Sequence, residues 1–498
     1  MNRLVVCAAA LVAFGFGVAF AEDASESKNA PAKTEVSSVK LGKELFHRDW
    51  LPNDPRSHGG DGLGPVFNET SCVACHNQGG IGGGGAAANN ISILSLTSIF
   101  PANKLSDQQR KQLHEQVAAL RKELGVKDEK SSTVTSFVVH RFGLSDDHST
   151  WKTSLFTNLH NFAQQQNNGL QPVQAQPVVQ AGVIHSVGTV GTAPPNLMTR
   201  VSQRINQLQA SSRIVSTSMN IGLLTMSTTQ RNTTALFGVG LIDSITDEQI
   251  EAAAVRKFDD FPRVTGRVAR TSDGKIAKFG WKGNVATLRD FTMAACAVEL
   301  GLQVPGQAQS PVLYKKDYKP EGLDINDEEL DALVDYLTGL PRPIERGTHD
   351  KAADAILAEG KELFTSIGCA TCHTPKLGDV EGIYSDLLLH DLGPQLGDIA
   401  AGTYGQSSSS SPLPLANADK KDKPKHKPAT AVEWRTPPLW GCRDSAPYLH
   451  DGRAESLEQA IALHDGEAQD STLQFMLLPP HKRQILVAFL KTLQAPEK

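Results

Sequence analysis

The chain carries two matching pentapeptides, CVACH at residues 72–76 and CATCH at residues 369–373. Both match C-x-x-C-H, the pattern at which a haem is attached covalently in c-type cytochromes. The spacing suits this chemistry, because two thiols bond to the two vinyl groups of one haem while the adjoining histidine ligates the iron. The sequence therefore predicts two covalently bound haem c groups, held by Cys72, Cys75 and His76 and by Cys369, Cys372 and His373.

Two other chemistries use paired cysteines. A zinc site would bring the two C-x-x-C pairs together around one ion, and a redox dithiol would need a βαβ setting. Neither explains why a histidine follows each pair, and no βαβ pattern surrounds the pairs. Covalent haem attachment is therefore the favoured interpretation. Cys296 and Cys442, which lie outside the pairs, are expected to be buried or to form a disulfide.

The composition excludes several classes of protein. The chain has 498 residues, and its 49 Lys and Arg nearly balance 54 Asp and Glu, which gives a formal net charge of −5. This balance argues against a nucleic-acid-binding protein, which would be basic. Hydrophobic residues make up 40% and charged residues 21%, which is typical of a globular chain and excludes collagen, coiled coil and multispan membrane protein.

The N-terminus has the features of an export signal. A basic start at residues 1–3 is followed by an apolar run over 4–21 that ends in Ala-Phe-Ala. This pattern predicts a signal peptide at residues 1–21, with an uncleaved anchor helix as the alternative. We expect an exported or periplasmic, soluble protein with no integral membrane span after signal removal. The polar residues 22–38 predict a disordered leader.

An internal repeat divides the chain. GKELF occurs at 42–46, before the first pentapeptide, and again at 360–364, before the second. Amphipathic helices that run into a proline are predicted near residues 331–343 and 485–496, and Asn326 is a good start for the first of them. The predicted units are an N-terminal haem c module over 39–346 and a C-terminal cytochrome c domain over 349–498.

The predicted fold class is mainly α, with two cytochrome c-like haem modules, the first enlarged by loop and small β insertions. Residues 132–142 are strand-like, and residues 263–282 predict a hairpin that turns at Ser272-Asp273-Gly274. Two polar, low-complexity stretches, at 164–177 and 402–430, predict loops.

Longer stretches resemble a known family. Residues 433–464 resemble the bacterial di-haem cytochrome c peroxidases and their relative that matures the tryptophan tryptophylquinone cofactor. The segments similar to the di-haem oxidoreductase, thiol oxidoreductase-like branch are 62–76, 231–243, 279–290 and 384–393. The resemblance, which covers most of residues 40–498, implies an enzyme whose second haem receives electrons from a small soluble electron-transfer protein. Its first haem would react with peroxide or dioxygen. A non-catalytic di-haem electron carrier is the alternative.

The resemblance also implies how the second iron is ligated. In the peroxidases, a methionine fourteen residues after the histidine of an HDG motif ligates the electron-transfer haem. Here HDG begins at His450, and the matching residue is His464. Ser456 begins a capping-box pattern, which predicts a helix over 457–464 with His464 at its end. A surface histidine near a helix C-terminus is the alternative for His464.

The resemblance assigns different features to the first haem. Residues 218–230 lack the displaceable histidine of the peroxidases, which implies an open sixth position or ligation by Met219 or Met226. Trp281 matches the tryptophan that carries electrons between the haems, although it would also suit a core or hairpin position. Glu299 matches the carboxylate that assists peroxide deprotonation, although a surface glutamate on a helix would be unremarkable.

The resemblance also implies a positive charge near the first haem and a set of oxygen ligands for a calcium ion. Arg231 would supply positive charge near the first haem. The family's inter-haem calcium ion uses an asparagine side chain and two backbone carbonyls, and Asn232, Ser445 and Pro447 occupy the matching positions. Such oxygen ligands suit a hard cation.

Overall fold

The computed structural model describes residues 32–98, 105–124, 136–166, 195–315, 317–348, 350–398 and 426–497. The predicted signal peptide and residues 22–31 of the leader lie outside these ranges, as do residues 167–177 of the first predicted loop and 402–425 of the second. Among the described residues, no helix is both long enough and apolar enough to cross a membrane.

Helices contain more residues of the described structure than strands do. They are α1 (Ala32–His47), α2 (Cys72–Cys75), α3 (Asp107–Leu124), α4 (Asp146–Gln166), α5 (Pro195–Ala210), α6 (Val239–Ser244), α7 (Asp247–Ala254), α8 (Leu288–Glu299), α9 (Asp327–Thr338), α10 (Lys351–Ser366), α11 (Leu457–Leu463), α12 (Gln469–Leu477) and α13 (Pro480–Leu490). Short 3₁₀ turns connect several of them, and one begins at Cys369.

The strands are mostly short. They are β1 (Val66–Phe67), β2 (Ile91–Ser98), β3 (Ser136–Val139), β4 (Phe142–Gly143), β5 (Thr217–Ile221), β6 (Leu224–Arg231), β7 (Ile344–Glu345), β8 (Lys376–Leu377), β9 (Val380–Glu381), β10 (Leu389–Asp391), β11 (Glu433–Arg435) and β12 (Leu493–Gln494). Most of them form two-stranded pairs, such as β10 with β11 and β7 with β12.

The repeated GKELF sequence lies in two equivalent helix pairs, in which α1 packs against α9 and α10 packs against α13. A side chain at Gly42 would collide with the Ala332 carbonyl of α9, and one at Gly360 with the Ile485 carbonyl of α13. The glycine of each repeat therefore permits a close helix crossing. One such helix pair accompanies each C-x-x-C-H motif.

Two of the predicted helices begin at capping residues that are recognisable in the sequence. Asn326 is the N-cap of α9 and Ser456 is the N-cap of α11, and both form complete capping boxes. The helix expected over 457–464 is confirmed as far as Leu463, and His464 is its C-cap. The helices predicted near 331–343 and 485–496 correspond to α9 and α13, which begin and end a few residues earlier.

The first half of the chain contains a four-stranded antiparallel sheet in the order β3-β2-β6-β5. Leu94 and Leu96 of β2 pack with residues of α3 and α4, such as Leu113 and Leu155, in one apolar core. The strand predicted within 132–142 corresponds to β3, whereas β2, β5 and β6 were not predicted. The β insertion is therefore larger than expected, and the fold combines helices with a distinct sheet.

Three further expectations change in detail. The prediction of a disordered leader is wrong for residues 32–38, because α1 begins at Ala32 and Ser38 Oγ donates a 2.6 Å hydrogen bond to Asp335 Oδ2 of α9. The prediction of a loop from residue 164 is wrong for residues 164–166, which belong to α4. The hairpin predicted at 263–282 turns as expected, but its arms form isolated bridges rather than strands.

Candidate haem-binding site

Both C-x-x-C-H motifs line one cavity of about 430 Å³. Its wall is largely apolar, with contributions from Leu288 and Leu333 in the first half and Leu486 in the second. The other site residues predicted from the sequence line the same cavity; they are Arg231, Asn232, Trp281, Glu299, Ser445, Pro447 and His464. The fold therefore gathers all of the candidate residues around one space.

In the first motif, the short helix α2 holds the two cysteines on one turn. The backbone N–H of His76 donates to the Cys72 carbonyl at 3.0 Å, and His76 Nδ1 lies 3.2 Å from the Gly83 carbonyl oxygen. Burial lowers the pKa of His76 to about 4, so its ring is neutral at pH 7. A carbonyl can only accept, so Nδ1 carries the hydrogen and Nε2 is left to bind a metal.

The second motif repeats this arrangement. The backbone N–H of His373 donates to the Cys369 carbonyl at 2.9 Å, and His373 Nδ1 lies 3.0 Å from the Tyr384 carbonyl oxygen. Burial and the nearby His464 lower the pKa of His373 to about 4. Each motif thus presents to an apolar cavity two thiols and a neutral imidazole whose Nδ1 is hydrogen-bonded to a backbone carbonyl. These features fit a covalently attached haem.

The cysteines do not form the alternative zinc site. In the described part of the chain, the side chains close enough together to hold one metal ion are those of Cys372, Asp386 and His390. The other three motif cysteines do not belong to this group. A tetrathiolate site would need both pairs around one point. Cys296 and Cys442 are buried free thiols in separate apolar cores, so the disulfide left open by the sequence is not formed.

His464 is placed on the cavity wall by the end of α11. Its Nδ1 lies 2.6 Å from the Ala460 carbonyl oxygen, and its own carbonyl accepts a 2.9 Å hydrogen bond from Thr472 Oγ1. These bonds fix the imidazole and leave Nε2 available. Met476, whose thioether could also ligate iron, packs instead in the apolar core of the C-terminal helices.

The methionines considered for the first motif lie elsewhere. Met226 on β6 belongs to the apolar core between the sheet and α3 and α4, and Met219 on β5 packs against that core. Neither lines the cavity. Their side chains are taken up by packing because the strands that carry them face the inserted helices.

Glu299, the last residue of α8, is held by Asn68. Asn68 Nδ2 donates to Glu299 Oε2 and the Asn68 backbone N–H donates to the Glu299 carbonyl, each at 2.7 Å. Asn68 Oδ1 in turn accepts a 3.0 Å hydrogen bond from the Arg141 backbone N–H. No sequence motif indicated this role, although Asn68 lies only four residues before Cys72.

Arg231 ends β6 at the cavity and is nearly fully buried. Its guanidinium forms an ion pair with the buried carboxylate of Asp398, and its Cζ lies 5.4 Å from the centre of the Trp434 ring. The expectation that Arg231 supplies positive charge is therefore limited by this pairing. Lys282 Nζ lies nearer the same ring, at 3.4 Å.

Trp281 belongs to a group of aromatic side chains. Its Nε1 donates a 3.1 Å hydrogen bond to the Asn232 carbonyl, and its ring centre lies 6.4 Å from that of His450. His450 stacks on Trp434 with a centroid distance of 3.6 Å and an interplanar angle of 16°. The sequence identified Trp281 but not its partners, because His450 and Trp434 are distant from it along the chain.

His390 is a buried histidine close to the second motif. Its Nε2 lies 3.0 Å from Asp386 Oδ2, its Nδ1 lies 2.7 Å from Glu467 Oε2, and Cys372 Sγ is 3.5 Å from Nδ1. Burial opposes the charged ring, but the adjacent Cys372 and Asp386 hold the pKa of His390 well above its usual range. His390 was not singled out from the sequence.

The candidate cation ligands lie together at the edge of the cavity. Asn232 Nδ2 donates a 2.7 Å hydrogen bond to the Pro447 carbonyl, while the buried Asn232 Oδ1 has no hydrogen-bond partner among the residues that the structure describes. The Ser445 hydroxyl donates a 2.8 Å hydrogen bond to the Gly441 carbonyl. The backbone carbonyl oxygen of Ser445 is therefore its candidate ligand atom for a cation. An unpartnered amide oxygen beside backbone carbonyls fits a hard cation.

Residues 418–493 match the family model described as "Di-haem oxidoreductase, putative peroxidase". A 154-residue segment is 30% identical to the methylamine utilization protein MauG of Methylorubrum extorquens. Over these segments the chain is similar to the di-haem cytochrome c peroxidase superfamily. The resemblance found in the sequence is thus confirmed. The aligned segment spans 29% of this chain and 36% of MauG.

Two solved structures are similar to this protein over part of the chain. Hydrazine synthase of Kuenenia stuttgartiensis is 20% identical with a TM-score of 0.23, covering 34% of this chain and 57% of its own. A MauG-like protein associated with microbial copper homeostasis is 18% identical with a TM-score of 0.24, covering 50% of this chain and 90% of its own. At such TM-scores, neither similarity supports a structural inference.

Proposed function

We propose that the chain is an exported di-haem c-type cytochrome oxidoreductase. The C-terminal haem would receive electrons from a small soluble electron-transfer protein, and the N-terminal haem would react with peroxide or dioxygen. The observation that carries this proposal is the cavity shared by both C-x-x-C-H motifs, in which the oriented carboxylate of Glu299 lies near the first motif. Export rests on the signal pattern of residues 1–21.

The haem groups, when bound, supply the one-electron and oxygen chemistry, and the protein supplies ligands, orientation and proton transfer. His76 and His373 would each provide the proximal nitrogen to one iron. His464 would provide the second nitrogen to the iron held by His373, since both histidines keep Nε2 free and lie close together. Imidazole on both sides is expected to give a lower reduction potential than methionine and histidine.

Glu299 is the proposed proton acceptor for peroxide. Asn68 orients its carboxylate by a 2.7 Å hydrogen bond, and a base must be held within hydrogen-bonding reach of the proton that it removes. The largely apolar cavity wall limits competing water. Trp281, within its aromatic group, is the proposed route for electrons between the two halves, and Arg231 with its partner Asp398 contributes fixed charges nearby.

A calcium ion is proposed at Asn232, Ser445 and Pro447. Rotation of the Asn232 amide would turn Oδ1 toward the Pro447 carbonyl, and a cation between the two oxygens would offset their repulsion. The ion would join the end of β6 to the C-terminal half of the chain.

The proposal is tested on the ferric full-length protein isolated with its haems. A pyridine haemochrome assay should count two haems per chain. Electron paramagnetic resonance should then detect one high-spin and one low-spin haem, and cyanide and peroxide should perturb the high-spin signal alone. Two six-coordinate haems that bind no cyanide in either the ferric or the half-reduced state would contradict the enzyme and indicate a non-catalytic electron carrier.

A further inference from the structure

The cavity is bordered by two copies of one turn, at residues 279–285 and 448–454. Each copy closes with an isolated antiparallel bridge between its first and last residue. The first residue donates to the last: Phe279 N–H to the Val285 carbonyl at 2.9 Å, and Tyr448 N–H to the Ala454 carbonyl at 2.7 Å. The fifth residue donates to the second: Gly283 N–H to the Gly280 carbonyl at 3.1 Å, and Gly452 N–H to the Leu449 carbonyl at 3.2 Å. The two segments therefore have the same hydrogen-bonded frame.

The backbone angles agree as well. The second residue of each turn is left-handed, with φ of 81° at Gly280 and 74° at Leu449. The fifth residue is again left-handed, with φ of 56° at Gly283 and 67° at Gly452. Leu449 adopts this conformation although a leucine disfavours it. Such agreement at an unfavourable position indicates a true structural repeat.

A helix leaves each turn in the same register. Thr287 caps α8 by accepting a hydrogen bond from Asp290 N–H, and Ser456 caps α11 in the same way with Gln459 N–H. Each cap lies four residues after the second left-handed residue of its turn. Residues of α8 can therefore be matched one to one with those of α11 as far as its C-cap, His464.

The matched positions face the same cavity. Both members of four pairs along one side of the helices line it; the pairs are Leu288 and Leu457, Phe291 and Ala460, Thr292 and Ile461, and Ala295 and His464. One pair differs in chemistry that matters here, since His464 carries an imidazole where the first copy has the methyl group of Ala295. Glu299 lies one turn beyond Ala295 on α8, past the position at which α11 ends.

We infer that Ala295 keeps the sixth position of the N-terminal haem free for an external ligand of the size of peroxide or dioxygen. This inference rests on the proposed function, in which the matched residue His464 fills that position in the C-terminal half. Ala295 has no atom able to ligate iron, and it lies on the cavity face of α8 one turn before Glu299. Ala295 and Glu299 thus make one half reactive, and His464 makes the other half an electron acceptor.

The test places an imidazole in the first copy by Ala295→His, with Ala295→Leu as a control of similar bulk but no ligating atom. The full-length ferric holoprotein is used, and two haems per chain verify that each variant has folded. Ala295→His should convert the high-spin signal completely to low-spin and abolish cyanide binding. Ala295→Leu should keep the high-spin signal and weaken cyanide binding at least tenfold. Where Ala295→His does not retain two haems, Ala295→Met supplies a more flexible ligand with the same expected conversion.

The wild-type spectrum separates this inference from the proposed function. One high-spin and one low-spin haem in the wild type, with a high-spin signal that persists in folded Ala295→His and Ala295→Met, would overturn the role of Ala295 and leave the proposed function standing. Two low-spin haems in the wild type would overturn both. In the reciprocal variant His464→Ala, the low-spin signal should become high-spin, since the second copy then carries a methyl group at the matched position.

Discussion

Glu299 owes its orientation to Asn68, whose side-chain amide and backbone N–H both donate to it at 2.7 Å. Asn68 is only 1% exposed, so water competes little for these bonds. The 231 residues that separate the pair in sequence explain why the contact could not be predicted. Asn68 therefore acts as a positioning residue, and Glu299 is the residue proposed to meet the substrate.

Replacing Asn68 by alanine should slow the reaction of the holoprotein with peroxide by about 10-fold to 100-fold, because a carboxylate that is free to rotate is seldom correctly placed. Stopped-flow absorbance measures the rate. Glu299→Gln should be at least as slow. The double variant should be no slower than Glu299→Gln alone, because Asn68 acts through Glu299.

Asn326→Ala serves as the control, since it removes the N-cap side chain of α9 but changes no residue of the cavity wall. It should retain the wild-type peroxide rate. If the losses from Asn68→Ala and Glu299→Gln multiply in the double variant, Asn68 does not act through the carboxylate and the positioning role is wrong.

At the scale of elements, an ion pair between Arg267 and Glu433 connects the segment 263–282 with β11. Arg267 binds the Glu433 carboxylate through two nitrogens, at 2.6 and 2.7 Å, and the Thr430 backbone N–H adds a bond of 2.7 Å. Burial opposes the charge of Glu433, but these donors outweigh it and lower the pKa from 4.5 to about 2. The charged form of Glu433 therefore stabilises the fold.

Glu433→Gln should lower the free energy of unfolding at pH 7 by about 2 kcal/mol. A depressed pKa contributes stability above the unfolded value of 4.5, and this contribution is lost as the pH falls toward 2. The difference between wild type and variant should therefore shrink across that range. Denaturant unfolding at a series of pH values measures it.

Glu381→Gln is the matched control, because the Glu381 side chain is 72% exposed in its ion pair with Lys376. Its effect should stay within about 0.5 kcal/mol at every pH. A Glu433→Gln difference that is constant between pH 7 and pH 2 would show that the lost stability does not come from ionisation.

Elements specified by local signals were predictable, and those specified by distant pairing were not. The starts of α9 and α11 follow from the capping boxes at Asn326 and Ser456, which involve neighbours in sequence. The pairing of β2 with β6 joins residues 91–98 to residues 224–231. These strands are rich in serine and threonine rather than regularly alternating apolar residues, so the sheet leaves little periodic signal.

At the scale of the whole molecule, Asn232 connects the sheet to the C-terminal half. Its backbone N–H donates to the His450 carbonyl at 2.7 Å, its carbonyl accepts from Trp281 Nε1 at 3.1 Å, and its side chain reaches Pro447. The sequence located Asn232 and Pro447 through the family resemblance. It could not reveal that one residue contacts both turns of the repeat.

Removal of calcium should lower the midpoint of thermal unfolding by roughly 3–8 °C, because an ion that binds only the folded chain stabilises it by mass action. Differential scanning calorimetry with calcium and with a chelator measures the shift. Asn232→Ala should abolish the difference between the two conditions by removing the side-chain oxygen ligand.

The capping variant Asn326→Ala provides the comparison here too. It should lower the midpoint by itself, through loss of a helix cap, yet keep the calcium-dependent shift. A shift that survives in Asn232→Ala would place any calcium effect at another site.

The cavity that both C-x-x-C-H motifs share also bears on how the protein is made. All four motif cysteines line the cavity, and a haem is far larger than the side chains that border them. The covalent attachment proposed above would therefore have to precede closure of the fold, while both pentapeptides are still accessible. Folding and cofactor insertion would then be one ordered process, in which a chain that closes too early would lack its haems.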